Sequence, residues 1–588
     1  MQFVVATRTP SVTAVIQDND GWLCFERPAM VIRADHAFDV RAAVAEVERL
    51  TRDRGLHAVG CLSYEAGEAF GLAVRRADGR FPLAWFALFH PADVTEVPAP
   101  AGDSDYRLGV LEPGLSFADF CSAFQAIRAA LAAGDTYQAN LTFPMRASFE
   151  GSAPDLFADL VAAQRGAYSV YLSLDDDVAV CSASPELFFE IEGSNVRARP
   201  MKGTVIRGRT AAEDASQRAA LCDSAKQQAE NVMIVDMMRN DLGRIAEIGS
   251  VRVPSLFTAE RYPNVWQLTS SVEARTRASL EEIVAALHPS ASVTGAPKVR
   301  TMQLLASLEA SPRGLYTGTI GHVRPDGNAR FNVAIRTAVV DRREGTVTFG
   351  IGSGIVWDSE ARIEYDECLA KGSVLGQRPR AFSLLETLRW TPESGFFLLD
   401  RHIARLCESA AYFDFNLSPD AARDALARAL AAETSPRRVR LLVDADGGVR
   451  VELAPHTAAS TILSVALAPT PIDDRDRYLF HKTTNRGVYE RTRAQVPQHD
   501  EVVLWNERSE VTEASTANIV VEVDGQRVTP PVSCGLLAGT FRAELLARGE
   551  IRERIVSTRD LQSATAIWLI NSVHEWRQAR LDPMSGPR

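Results

Sequence analysis

Apolar positions fall into short runs separated by polar, Gly- and Pro-bearing breaks along the whole chain. In the first 100 residues, FVVAT (3–7), AVGCLSYEA (58–66) and LAWFALF (83–89) read as strands, and VRAAVAEVERLTRD (40–53) reads as a helix. The Pro/Asp/Ala-rich stretch 90–105 reads as an internal loop. From 116 to 373 helices alternate with strands, several of them hairpin candidates. In GHVRPDGNARFNVAIRTAVV (321–340), PDGN is a turn signal between apolar strands. The pattern restarts after the helix IEYDECLAKGSVL. The Gly-, Pro- and Arg-containing stretch 376–380 is the best linker candidate, so two domains are expected, 1–375 and 381–588. The second has its own strands (RVRLLVDA, STILSVALA, ANIVVEV) and helices (DRHIARLCESAAYF, TFRAELLARG).

Composition narrows the function classes. No apolar run approaches the ~18–20 residues of a membrane span, and the first residues lack a signal-peptide pattern, so no membrane role is expected. Eight scattered cysteines without a CxxC pair argue against a zinc site or disulfide framework and fit a cytoplasmic protein. A formal charge of −11 disfavours a nucleic-acid partner, and an anionic substrate would need cations supplied locally.

Five segments carry candidate chemistry in the first domain. In ARPMKGTVIRG (198–208), Lys202 stands at what reads as the turn after a strand; alone it is an ordinary solvated cation. Glu186, in SASPELFFEI, opens a strand that a hairpin would bring near Lys202. Glu230 opens the apolar stretch of a long helix, and Glu364, Glu367 and Lys371 share one helical face. Strand alternation in FNVAIRTAVV sets Phe331, Val333 and Ile335 on one face and Arg336 on the other, beside small residues that leave room for a ligand. Each has a plainer reading: a solvated helix face, a cap, an ordinary ion pair. Two glutamates on separate helices could also hold Mg²⁺, a hard cation that bridges carboxylates to an anionic substrate.

The ordered motifs AGDTYQANLTF, SPELFF, RPMKGT, AKQQAENVMIVDMMRNDLGR, HPSASVTGAPKVRTM, GLYTGTIG, FNVAIRT, GIGSGIVWDSE and EYDECLAKG resemble the chorismate-utilising enzymes over residues 115–373. The resemblance implies an α+β fold, a two-sheet sandwich with peripheral helices. It implies Mg²⁺ held by Glu230 and Glu367 with Glu364 close by, and the enolpyruvyl carboxylate of chorismate held by Arg336 and Tyr316. Gly203, Thr204, Thr294, Gly352 and Gly354 would shape the pocket, Glu186 would protonate the departing C4 hydroxyl, and His288 sits where anthranilate synthases have a catalytic histidine. Lys202 separates the members: anthranilate synthases carry alanine there, aminodeoxychorismate synthases lysine. A neutral amine there can attack C2 as the C4 hydroxyl leaves, after which ammonia enters at C4. No G-x-C-x-G-x-Q segment of a glutamine amidotransferase occurs, so a separate glutaminase subunit is expected to supply ammonia.

In the second domain CGLLAGTFRAELL runs a Gly-containing loop into a helix, a possible anion site. With FHKTTNRGVYE, EVTEASTANIVVEV and FSLLETLRW it resembles the fold-type IV pyridoxal-phosphate enzymes, the branched-chain aminotransferase-like fold. That group holds branched-chain and D-amino-acid aminotransferases and 4-amino-4-deoxychorismate lyases. The resemblance implies that Lys482 bonds the cofactor and Glu513 pairs with its pyridinium nitrogen. Arg405, the backbone at Gly539, Thr540 and Phe541, and Ser572 would hold the phosphate, with Asn518 in support. The loop reads Ala-Gly-Thr-Phe where relatives usually have Pro-Gly-Ile-Thr, which leaves only the backbone contacts secure. A homodimer through this domain is possible. The order of the two resemblances implies 4-aminobenzoate synthesis from chorismate by aminodeoxychorismate. The rival readings are a type IV aminotransferase of other specificity in the second half, anthranilate synthesis in the first, or a chorismate-binding regulator.

Overall fold

The computed structural model describes residues 4–6, 13–18, 21–174, 177–378, 381–456 and 462–582. Residues 379–380 of the expected linker lie outside the described residues. The chain forms two compact units, Met1–Ile206 with Gln217–Pro379, and Arg207–Ser216 with Arg380–Arg588.

In the first unit the described residues form two eleven-stranded, antiparallel sheets. One runs from the strand Val4–Ala6 through Met30–Ala34, Ala84–Phe89, His57–Leu62, Thr319–Val323, Ala329–Val333, Leu187–Glu192 and Asn195–Arg199 to Val265–Arg275 and Met201–Ile206. The other includes Gln138–Gly151, Thr346–Ile355, Thr337–Asp341, Val178–Ser184, Tyr168–Ser173 and Thr13–Asp18 in that order. Alternation explains why LAWFALF reads as one continuous apolar run. Trp85, Ala87 and Phe89 enter a core shared with Val170, Leu172 and Val180 of the facing sheet. Ala84, Phe86 and Leu88 point the other way, into a core closed by the helices Ala37–Arg54, Ala225–Gly243 and Leu280–Leu287. A strand buried on both faces has no polar side to show. The second sheet repeats this, with Ala179 and Cys181 packing among the helices Phe117–Ala132, Ala153–Gln164 and Ala361–Gly372.

Two expectations change. The stretch 90–105 holds an edge strand, Val94–Val97, paired with Gly21–Glu26. The run FNVAIRTAVV is two strands, not one. Ala329–Val333 belongs to the first sheet and Thr337–Asp341 to the second, and Arg336 lies at the crossover with φ +51°. A turn in left-handed backbone, rather than strand alternation, aims its side chain.

The second unit pairs a four-stranded antiparallel sheet containing Leu384–Thr391 and Arg437–Val443 with an eight-stranded mixed sheet. The larger sheet includes the adjacent strands Leu463–Leu467, Glu575–Leu581, Ala566–Asn571 and Asn518–Val523. Helices Leu399–Phe413 and Pro419–Leu430 close the core of the smaller sheet.

Candidate active sites

Lys202 sits within the edge strand Met201–Ile206, not in the turn that the sequence suggests. Pairing with Val265–Arg275 slips between Met201↔Thr269 and Thr204↔Gln267, so Lys202 and Gly203 form a bulge, with Gly203 at φ +101°. The bulge is pinned from the helix Ala225–Gly243: Asn231 Nδ2 donates to Lys202 O at 3.1 Å, and Ser270 Oγ donates to Asn231 Oδ1 at 2.6 Å. The preceding helix residue places Glu230 Oε2 4.0 Å from Lys202 Nζ. Burial lowers the Lys202 amine, with Lys371 assisting and Glu230, Glu367 and Glu364 opposing.

The facing wall is the glycine-bearing strand Thr346–Ile355. A Cβ on Gly354 would stand 2.6 Å from Lys202 Nζ and 3.0 Å from Gln138 Nε2, so both side chains converge over that glycine. Gln138 is fully buried, and neither end of its amide has a hydrogen-bond partner. An amide left unpaired in a buried site carries a desolvation cost that a ligand can remove. A Cβ on Gly350 would meet Tyr316 Cγ at 2.0 Å, so this glycine admits the Tyr316 ring. Sequence reading singled out neither residue, although both stand inside quoted motifs; only contacts distant in sequence reveal them.

The helix Ala361–Gly372 brings the other carboxylates. Glu364 accepts from Ser353 Oγ, while Glu367 pairs with Lys371 at 2.7 Å. Burial works against its charge, but Lys371, then Lys202 and Arg336, hold Glu367 below the usual range. Lys371 Nζ also donates to Gly352 O at 3.0 Å, and Arg336 Nη1 donates to Lys371 O at 3.0 Å. Burial lowers Arg336, and it raises the Tyr316 phenol.

Glu186 is buried at the entrance to Leu187–Glu192 and accepts from Ser292 Oγ at 2.6 Å. Burial pushes its carboxyl up to about 7, against Ser292, the Met201 backbone and the Lys202 charge. The hairpin does bring it beside the lysine strand. His288 caps the helix Leu280–Leu287, whose start is fixed by a Ser279–Glu282 capping box. Its ring is buried between Phe70 and Phe188, Nε2 lies 3.0 Å from Ser63 O, and Nδ1 has no partner. Burial lowers it to about 3, so the ring is neutral. Thr294 is buried, donating to Ser290 O at 3.1 Å, whereas Thr204 is exposed and accepts from Gln267 at 3.4 Å.

In the second unit a cavity of about 420 Å³ is lined by Lys482, Glu513, Arg405, Asn518, Gly539 and Ser572, among others. Burial brings the Lys482 amine down to about 8, helped by Arg405 and Arg486, and Leu385 N donates to its backbone oxygen at 2.9 Å. Buried Glu513 accepts from Tyr489 Oη at 2.8 Å, Leu537 N at 3.1 Å and Asn518 Nδ2 at 3.2 Å. Its carboxyl is pushed by burial up to about 7. Gly539 precedes the helix Thr540–Ala547, and a Cβ there would fall 1.9 Å from Asn518 Oδ1. The side chain of Phe541 is core, against Phe397 and Trp576, so its contribution to the loop is backbone alone. Ser572 is buried and donates to Thr387 O at 3.3 Å.

Arg405 has a partner that sequence reading missed. Glu386 takes its guanidinium through two hydrogen bonds, 2.6 and 2.8 Å, and also meets His402 Nδ1 at 2.6 Å. Burial would raise this carboxyl, yet Arg405 and His402 hold it at about 2. A remaining Arg405 N–H donates to Ala538 O at 3.1 Å, fixing the fork beside the loop.

Residues 14–376 match the chorismate binding enzymes. The chain belongs to that family. Residues 383–581 match amino-transferase class IV, so a chorismate binding enzyme is followed here by a class IV domain, a fold that works with pyridoxal phosphate. The chain is 41% identical over 259 residues to the aminodeoxychorismate synthase component 1 of Klebsiella aerogenes, covering 44% of this chain and 57% of that one. It is 38% identical over 291 residues to the anthranilate synthase component 1 of Streptomyces coelicolor, covering 47% and 56%. The chain thus spans a little over half the length of these relatives. The solved anthranilate synthase component I of Streptococcus pneumoniae shares the fold, with a TM-score of 0.51 at 24% identity over 64% of this chain and 92% of that one. No helix among the described residues is long and apolar enough to cross a membrane.

Proposed function

We propose that the chain makes 4-aminobenzoate in two steps, aminating chorismate in the first unit and eliminating pyruvate in the second. The observation that carries the first step is Lys202: a half-buried amine on a bulge, its charge disfavoured, among three carboxylates. In this reading its nitrogen bonds to ring C2 as the C4–O bond breaks. Glu186, kept partly protonated near neutral pH by burial, donates the proton that lets the hydroxyl leave as water. Ammonia, supplied by a separate glutaminase subunit, then bonds to C4 and expels the lysine nitrogen from C2, giving 4-amino-4-deoxychorismate. Arg336 and Tyr316 would hold the enolpyruvyl carboxylate.

Glu230, Glu364 and Glu367 would hold Mg²⁺. Among the described residues no three His, Cys, Asp or Glu side chains already converge on one point. The three carboxylates nevertheless all act on the Lys202 amine, and Mg²⁺ is commonly held by one or two carboxylates with substrate oxygens and waters completing its shell. When bound, the ion would neutralise the substrate's ring carboxylate.

The second cavity fits pyridoxal phosphate. Its size suits a cofactor with a small substrate, Gly539 lets the Asn518 side chain lie against the loop, and Arg405 is fixed at the loop by Glu386. The cofactor, when bound, supplies an electron sink for the carbon bearing the substrate amine. Lys482 takes the proton from ring C4, the C3–O bond breaks, and the enolpyruvyl group leaves as pyruvate while the ring becomes aromatic. Glu513 keeps the pyridine nitrogen protonated.

Incubating the protein with chorismate and Mg²⁺ without ammonia, followed by peptide mass spectrometry, tests the first step. The account expects a chorismate-derived adduct on the peptide bearing Lys202, absent from Lys202→Ala. An unmodified peptide with amination still proceeding in Lys202→Ala would overturn it.

A further inference from the structure

The second cavity holds cationic side chains that the cofactor reading does not use. Arg438 stands, exposed, on the strand Arg437–Val443 of the smaller sheet; His574 immediately precedes the strand Glu575–Leu581 of the larger one and Arg577 lies within it, and all three line the cavity. Among the other cations nearby, Arg486 donates to Ser515 O and lies over the Tyr489 ring, while three more have carboxylate partners. Arg440 pairs with Glu452 at 2.8 Å, Arg389 with Glu575 at 2.8 Å, and Arg405 with Glu386 at 2.6 Å. Arg438 and Arg577 have no carboxylate within 4.0 Å among the described residues, and Arg577 Nε is buried without a hydrogen-bond partner. His574 is lowered by burial and then by Arg577, His456, Arg438 and Arg389, so cations from both sheets act on this ring. Two guanidinium groups without a carboxylate partner repel one another and keep the imidazole uncharged, and a bound carboxylate would relieve both effects.

The geometry points to Arg438, His574 and Arg577 as a carboxylate subsite of the second cavity, selecting an amine-bearing substrate that carries a second carboxylate away from the amine. This rests on the proposed elimination reaction, whose substrate has two carboxylates, and it names the groups that would separate that substrate from an ordinary monocarboxylate amino acid. Arg405 and the Gly539–Thr540 backbone stay with the cofactor phosphate, so the cluster is distinct in its elements and in its ligand.

The test uses the full chain loaded with pyridoxal phosphate and without Mg²⁺, titrated with isophthalate or benzoate. Binding is followed by the visible absorbance of the bound cofactor, which reports only this cavity. The dicarboxylate is expected to bind at least about tenfold more tightly than benzoate. Arg577→Met or Arg438→Met should erase that preference, Arg577→Lys should retain part of it, and cofactor affinity should be unchanged in all three. Equal binding of the two acids, or a preference untouched in both methionine variants, would overturn the subsite. So would a methionine variant that loses pyridoxal phosphate instead, because the cluster would then belong to the phosphate. If the preference holds but aminodeoxychorismate releases no pyruvate, the subsite stands and the elimination reading fails.

Discussion

Lys202 and Lys482 are both amines that burial makes easier to deprotonate, but they differ in how far the chain revealed them. The type of residue and the motifs around each were readable. The bulge that presents Lys202 was not, because period-two patterning specifies faces, not a slipped register; Gly203 is its one written trace. Gln138, Gly350, Asn231 and Glu386 meet residues outside their own elements, and the local pattern says nothing of those contacts. For Lys482 the sign of the pH effect follows directly. Lowered to about 8, the amine of the cofactor-free protein is mostly charged below that pH and mostly neutral above it. The rate of pyridoxal phosphate uptake should rise as pH passes through about 8 and then level; a rate still climbing at pH 10 would mean an ordinary lysine. Gly350→Ala places a Cβ on the Tyr316 ring, and should raise KM for chorismate about tenfold or more while leaving pyridoxal phosphate binding unchanged. Steady-state kinetics beside a cofactor titration checks both halves of that statement.

At the scale of elements, buried polar ties position the first site. Arg313 and Glu309 form a 2.7 Å ion pair with both side chains almost wholly buried, and Arg313 also donates to Val293 O and Asn140 O. It joins the approach to the Tyr316 segment to the strand that begins at Gln138. Arg313→Met leaves Glu309 buried without its cation and should cost about 3–5 kcal/mol of stability; adding Glu309→Leu should recover much of it. Denaturant unfolding of the first unit measures both, and equal losses in the single and double variants would contradict the account. Asn231 is the matching tie for the lysine bulge. Asn231→Ala should lower kcat for amination far more than it changes chorismate KM, since it loosens the nucleophile rather than the carboxylate contacts. The elements themselves were largely legible as helices and strands. The crossover at Arg336 was not, because AIRT keeps an apolar–polar alternation across a change of sheet.

For the whole molecule, the two-sheet sandwich follows from strands that are apolar on both faces, and its helices from the amphipathic stretches between them. The class IV domain follows from a second, independent set of strands after residue 380. Which sheet each strand joins was beyond the sequence: the first sheet places Leu187–Glu192 beside Ala329–Val333, some 140 residues apart in the chain. The central claim is that one chain holds two successive reactions. The most direct measurement supplies the pyridoxal-phosphate-loaded protein with chorismate, Mg²⁺ and an ammonium salt, and separates the products by chromatography. The wild type should yield 4-aminobenzoate and pyruvate, Lys482→Ala should stop at aminodeoxychorismate, and Lys202→Ala should leave chorismate unaminated. Aminodeoxychorismate accumulating in the wild type, with no 4-aminobenzoate formed, would contradict the claim.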